Sequence, residues 1–256
     1  SIDISNIREG EIRNNNKGTP MKIIHYRSWD DIDVEFLDKY KYVKEHVTYS
    51  NFKKGEIKNP YDRSVFNIGY VGVGKYMTRN TVLKKPETSY ETWTSILERC
   101  YKNEKSFPAY FGVCSVCEEW LNFQNFAEWF ENNKYEVNER LHIDKDILFP
   151  GNKVYSPDVC LLVPQRINML FLNKPNDTGL PNGISKTESN RFNASYCGKS
   201  LGTFSTLEEA YSVYAQNKEN VIKRIADEYI NIIPQKVYDA LYKYKVEIIN
   251  DRNFSA

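Results

Sequence analysis

The stretch Leu141-His142-Ile143-Asp144-Lys145-Asp146-Ile147, followed after a polar turn by Tyr155-Ser156-Pro157-Asp158-Val159-Cys160 and then Leu161-Leu162-Val163-Pro164-Gln165-Arg166-Ile167-Asn168, decides how the chain is read. It predicts a strand, a loop, a second strand and the start of a helix, with carboxylates at the tip of the first strand and an amide in the helix. Two such polar groups, brought together across a hairpin and a helix, suit one hard divalent cation with positions left open for phosphate and water.

Upstream of this stretch, residues 1–84 read as a small β-rich unit. Met21-Lys22-Ile23-Ile24-His25-Tyr26 and Ile32-Asp33-Val34-Glu35-Phe36 are rich in β-branched and aromatic residues, and the second alternates as a half-buried strand does. Gly55, Asn59-Pro60 and the glycines near 70 predict hairpins rather than helices over the rest of this unit. Gly69-Tyr70-Val71-Gly72-Val73-Gly74-Lys75-Tyr76 has the glycine and lysine spacing of a phosphate-binding loop. However, Tyr76 stands where a magnesium-binding hydroxyl is required, and residues 77–86 make a poor helix to receive phosphates. The glycines are therefore expected where backbones approach closely. Lys84-Lys85-Pro86-Glu87-Thr88 reads as a linker, and Ser89 as the N-cap of a helix whose apolar positions are Tyr90, Trp93, Leu97, Cys100 and Tyr101. A second aromatic stripe, Trp120, Phe123, Phe126, Ala127, Trp129 and Phe130, reads as core.

Downstream, Asn173-Lys174-Pro175-Asn176-Asp177-Thr178-Gly179 predicts a loop. Gly183-Ile184-Ser185-Lys186, Asn190-Arg191-Phe192-Asn193-Ala194-Ser195-Tyr196 and Gly198-Lys199 through Phe204 then predict a three-stranded sheet, and Thr206-Leu207-Glu208-Glu209 is a capping box opening a helix. In the middle strand Phe192, Ala194 and Tyr196 point toward that helix, which leaves Arg191, Asn193 and Ser195 on the open face. An arginine and an asparagine standing off an exposed sheet match guanine and adenine edges in a major groove. From Ala226 to about Ile249 the pattern is helical and interrupted near Pro234.

Composition narrows the classes. With 35 Lys and Arg against 34 Asp and Glu, no whole-protein field draws the chain to nucleic acid, so any such binding needs a local surface. No apolar run is long enough to span a membrane and the N-terminal residues are polar, so neither insertion nor secretion is expected. The five cysteines predict reduced thiols in a cytosol. Cys114-x-x-Cys117 invites a structural zinc that Cys100 or Cys160 would complete, but a closed site wants two close pairs and only one is present.

Residues from about 89 to 172, with Glu98-Arg99-Cys100-Tyr101, Val116-Cys117-Glu118-Glu119-Trp120, Asn122-Phe123-Gln124-Asn125-Phe126 and Ile143-Asp144-Lys145-Asp146, resemble the HNH (ββα-metal) homing-type endonucleases common in bacteriophage genomes. Residues from about 180 to 229 are similar to the plant ethylene-response (APETALA-type) DNA-binding domain. The resemblance implies an α+β protein of three parts: a β-rich domain over 1–84, an HNH-like nuclease module over 85–175, and an APETALA-like domain with C-terminal helices over 176–256. It implies Asp144 and Asn168 as ligands of Mg2+ or a similar divalent cation, and Asp158 at the position of the family's loop-steadying asparagine. It implies Lys186, Arg191, Asn193, Ser195 and Lys199 as contacts to double-stranded DNA, in the cytoplasm of a bacterial host cell. The chain departs from the family at Lys145, which stands where the general-base histidine is expected; either His142, two residues before Asp144 on the same strand face, takes the proton from water, or a cation-bound water is acidic enough to need little help, with Lys145 stabilising phosphate charge. The expected activity is metal-dependent DNA cleavage, including single-strand nicking. The rival expectation is a catalytically inactive derivative that binds DNA or a host protein as a regulator or inhibitor of host defence.

Overall fold

The computed structural model describes residues 5–254, a mixture of helix and sheet. The chain forms two compact units, Ser1–Gly112 with Val116–Glu128, and Val113–Ser115 with Trp129–Ala256.

In the first unit β1 (Ile12–Asn14), β2 (Pro20–Ser28), β3 (Asp31–Phe36) and β4 (Val43–Val47) form an antiparallel sheet in that order. Alternation drives it: Met21 and Ile23 pair with Phe36 and Val34, and these four side chains, with Ile32, are fully buried. Each such burial contributes about 1.5–3 kcal/mol. Helix α1 (Tyr49–Lys54) closes this core with Tyr49 and Phe52. It starts where the Thr48 hydroxyl accepts from the Asn51 amide and ends at Gly55, whose φ of 72° suits glycine.

The expected linker at 84–88 is instead part of a two-strand pairing of Arg79–Asn80 with Lys85–Pro86. Helix α2 (Thr88–Tyr101) accordingly begins earlier than a cap at Ser89 predicts, with Glu87 at its N-cap, because Ser89 is buried against the core and does not cap. Trp93 donates its indole N–H to the Trp120 carbonyl at 2.7 Å, tying α2 to the turn that precedes α3 (Phe123–Asn133). The glycine loop at 69–76 packs here. A Cβ on Gly69 would lie 2.6 Å from Leu97, and one on Gly72, with its φ of 69°, would lie 2.3 Å from Asn122. Gln124 completes the grip, accepting from the Tyr76 amide and donating to the Tyr76 carbonyl, both at 3.0 Å. The glycines therefore serve close backbone approach.

In the second unit β5 (Leu141–Asp144) and β6 (Leu161–Pro164) pair antiparallel, His142 opposite Val163 and Asp144 opposite Leu161, and the short α4 (Gln165–Met169) begins at once. A three-stranded antiparallel sheet comes next, β7 (Ile184–Lys186), β8 (Phe192–Tyr196) and β9 (Lys199–Phe204). Helix α5 (Leu207–Glu228) opens on the capping box, with both Thr206 and Glu209 bonds present, and α6 (Gln235–Lys243) starts after Pro234. The first half of α5 packs Ala210, Tyr211 and Tyr214 against Ile184 and Ala194 of the sheet. Its second half packs Ile222, Ile225 and Ala226 into a core with Leu161, Val163, Ile167 and, from α6, Val237 and Leu241. The segment around 173–182 is held by the C-terminal residues: Asn173 donates to the Asn250 carbonyl at 2.8 Å, the Asn176 amide to Asn253 Oδ1 at 2.9 Å and the Asn182 amide to Asp251 Oδ2 at 3.0 Å. Among the described residues no helix is long and apolar enough to cross a membrane.

Candidate functional site

Side chains directly opposite in an antiparallel pair share a face. Leu161 and Val163 enter the helical core with Ile167, so Asp144 and His142 stand on that same face of the hairpin, the face on which α4 packs. Asn168, half-buried, comes directly after Ile167 in α4. The hairpin and the helix thus form a ββ-helix arrangement that carries His142 and Asp144 on one face, with Asn168 one position past Ile167 on the helix.

Asp144 is 8% exposed. Its Oδ1 accepts the backbone N–H groups of Asp146 at 2.8 Å and Ile147 at 2.7 Å, which turns the chain out of β5. Burial, and after it the charge of Asp146, raises its carboxyl to about 6, against the lowering effect of the two amides and of Lys145. Burial raises the Tyr244 hydroxyl as well, and the charges of Asp144 and Asp146 push it further in the same direction. The Lys145 ammonium already neutralises Asp146, so the enclosed carboxylate whose oxygens suit a hard cation is Asp144.

Lys145 is 5% exposed and fully committed. Its ammonium donates to both Asp146 oxygens, at 3.0 and 2.8 Å, and to the Asn152 carbonyl at 2.9 Å. An ammonium with three acceptors offers no lone pair to a water, so Lys145 fixes the loop. Asn152 carries the rest of that loop: its Nδ2 donates to the carbonyls of Lys145 and Val154, and its Oδ1 accepts from the Val154 amide. Loop steadying, expected at Asp158, runs through Asn152, while Asp158 is exposed in the turn before β6. Residues 148–153 have no periodicity, and an asparagine in a polar turn carries no signal beyond its turn preference.

In the three-stranded sheet, Phe192, Ala194 and Tyr196 face α5 and Asn193 and Ser195 take the opposite parity, as the alternation predicts. Asn193 does more than face outward. Its Nδ2 donates to Ser200 Oγ at 2.8 Å, the Gly202 carbonyl at 3.2 Å and Thr203 Oγ1 at 3.3 Å. Arg191 is exposed and donates to the Thr203 carbonyl at 3.2 Å. Lys186 pairs with Phe192 and Lys199 with Tyr196, so both leave the sheet on the helix-side parity at strand ends, exposed, with the Lys186 ammonium 5.9 Å from the Phe192 ring. Ser185 and Thr203 stand opposite Asn193 and complete the open face; no local pattern singles them out.

Among the described residues, three His, Cys, Asp or Glu side chains come close enough to share an ion at Asp31, Asp33 and His46. There Arg27 already supplies the positive charge, with Nη1 2.9 Å from both Asp31 Oδ1 and Asp33 Oδ1 and Nη2 on Asp33 Oδ2. The Arg27 hydrogen bond holds the Asp33 carboxyl down at about 2. The group is a clamp across β2, β3 and β4. Of the cysteines, Cys100, Cys114 and Cys160 are buried and Cys117 is half-buried, and burial raises the thiols of Cys114 and Cys117, as for small apolar residues.

No family model matches the chain, and neither a search of curated proteins nor a search of solved structures finds a match.

Proposed function

We propose that the chain is a metal-dependent DNA endonuclease that nicks one strand, a phage-type HNH (ββα-metal) module directed to double-stranded DNA by its C-terminal sheet. The observation that carries the reading is Asp144, a carboxylate enclosed on the hairpin face against which the Asn168-bearing helix packs and raised to about 6 by that burial. Asp144 and Asn168 would hold Mg2+ or a similar cation. Such an ion, when bound, supplies charge for a phosphate oxygen and acidifies a coordinated water. His142, on the same face two residues earlier, is the group that accepts the proton. Lys145, Asp146 and Asn152 keep the loop rigid around it. The exposed Arg191, with Asn193 and Ser195, contacts base edges, and Lys186 and Lys199 at the sheet margins meet phosphates. The proposed setting is the cytoplasm of a bacterial host.

The test is conversion of supercoiled plasmid to open circle with Mg2+ or Mn2+. Wild type nicks, EDTA stops it, and Asp144→Asn and His142→Ala abolish it; intact plasmid at every wild-type concentration overturns the proposal.

A second reading is favoured by Lys145, whose ammonium is used up inside the loop at the position of the family's base. On that reading the module is inactive and the chain binds DNA or a host protein as a regulator or inhibitor of host defence. Duplex binding that is indifferent to metal and to Asp144→Asn, with no cleavage, selects it.

A further inference from the structure

The first unit contains a cavity of about 450 Å³ that neither reading uses, lined by Tyr40, Tyr61 and Tyr70 with Lys17, Lys39 and Arg63. Three tyrosines build its wall. Tyr40 and Tyr61 lie parallel, ring centres 4.0 Å apart and planes 6° from coincident, and the Tyr40 hydroxyl meets that of the buried Tyr70 at 3.1 Å. Tyr40 is 38% exposed, although it carries an aromatic ring large enough to be buried in a core. Lys17, Lys39 and Arg63 are exposed at the rim, and the Lys39 ammonium lies 5.0 Å from the Tyr40 ring centre.

The two carboxylates in the wall are already satisfied from within the fold. Asp38 accepts from Asn59 Nδ2 at 2.7 Å and from the Tyr40 and Lys41 amides; Asp62 accepts from Asn15 Nδ2 at 2.7 Å and from the Thr19 hydroxyl. An incoming molecule meets aromatic surface with three cations at the rim and two carboxylates whose oxygens are held by neutral donors of the fold. A second cavity of about 630 Å³ shares Lys17 and Asp62 with the first and adds the amide side chains of Asn15, Asn16 and Asn59 to a largely apolar lining. The two cavities adjoin at these shared residues. Stacking surface and point cations spaced along a rim are the parts that hold unpaired nucleotides, because every base has a π-face and every linkage a negative charge. A duplex buries its base faces and has no use for the tyrosines.

We propose that this groove of the N-terminal unit binds single-stranded nucleic acid, with bases stacking on the Tyr40–Tyr61 pair and the backbone running past Lys17, Lys39 and Arg63. The inference stands apart from the nuclease reading, since it needs neither the hairpin nor a cation.

The experiment is fluorescence anisotropy of the full chain with fluorescein-labelled oligothymidylate and oligouridylate of about twelve nucleotides, in EDTA and at fixed salt, beside a duplex of equal length. Wild type is expected to bind the single strands. Tyr40→Ala is expected to weaken that binding by about tenfold or more, and Lys17→Glu to weaken it and flatten its salt dependence, while Arg191→Ala affects the duplex alone. Oligodeoxyuridylate, which differs from oligouridylate only in the sugar, tells whether deoxyribose or ribose is preferred. Should Tyr40→Ala lower the melting temperature, Lys17→Glu decides, because Lys17 is an exposed loop residue. Single-strand binding that both variants leave unchanged, or that Arg191→Ala alone removes, overturns the proposal, as does its absence from wild type. Loss of plasmid nicking with retained single-strand binding counts against the nuclease reading only.

Discussion

Asp144 does two jobs with one side chain, and substitutions separate them. Asp144→Ala removes two buried hydrogen-bond acceptances and is expected to cost about 1–3 kcal/mol of stability. Asp144→Asn keeps an oxygen for the Asp146 and Ile147 amides. The wild-type carboxyl is raised to about 6, so the stability it contributes is present below its ordinary value of 3.8 and is lost as pH rises through 6. At pH 7 Asp144→Asn is therefore expected to melt no lower than wild type, while both variants lose metal-dependent nicking; thermal denaturation beside the plasmid assay reads the difference. Asn152→Ala, which strips the loop of three bonds, is expected to lose about 2–3 kcal/mol without touching the ion's ligands. Asp33 has the opposite sign. Its carboxyl, held near 2 by Arg27, contributes stability above 3.8 that disappears as pH falls through 2, about 1 kcal/mol given the half-exposed guanidinium. Acid titration of Asp33→Asn should show a smaller loss between pH 4 and 2 than wild type.

At the level of strands and helices, periodicity carries most of what is legible. Ile32, Val34 and Phe36 alternate because one face of β3 is core, and Thr206 with Glu209 marks the start of α5 because a helix terminus needs those acceptors. Where a polar residue's role depends on what lies across space, local pattern is silent: Ser89 reads as a cap but is buried, and Asn152 looks like any turn residue while it ties the loop at 144–154. The same limit applies to the open sheet face. Asn193 reads as a base contact by parity, yet its amide already spans β8 and β9. Asn193→Ala is therefore expected to lower the melting temperature as well as duplex affinity. Arg191→Ala should leave stability within about 0.5 kcal/mol of wild type and weaken duplex binding about tenfold or more. Equal melting temperatures for the two variants would show that the cross-strand amide contributes nothing.

At the scale of the whole chain, residues 173–182, of which composition marks 173–179 as a loop, are strapped by Asn250, Asp251 and Asn253, bonds between residues some seventy positions apart that no local pattern announces. Deleting residues 250–256 is expected to speed amide hydrogen exchange at Asn176 and Asn182 while leaving β2 and β3 protected; unchanged exchange would mean the strap is dispensable. The long helix α5 adds a mechanical consequence. One end of it is built into the three-stranded sheet through Ala210 and Tyr214, the other into the hairpin core through Ile222 and Ala226, with about 12 Å of continuous helix between. A rod clamped at both ends is a ruler. On the proposed nuclease function, the scissile linkage should fall a constant number of base steps from the recognised sequence at every target, a single sharp band on a sequencing gel where a tether would leave a smear.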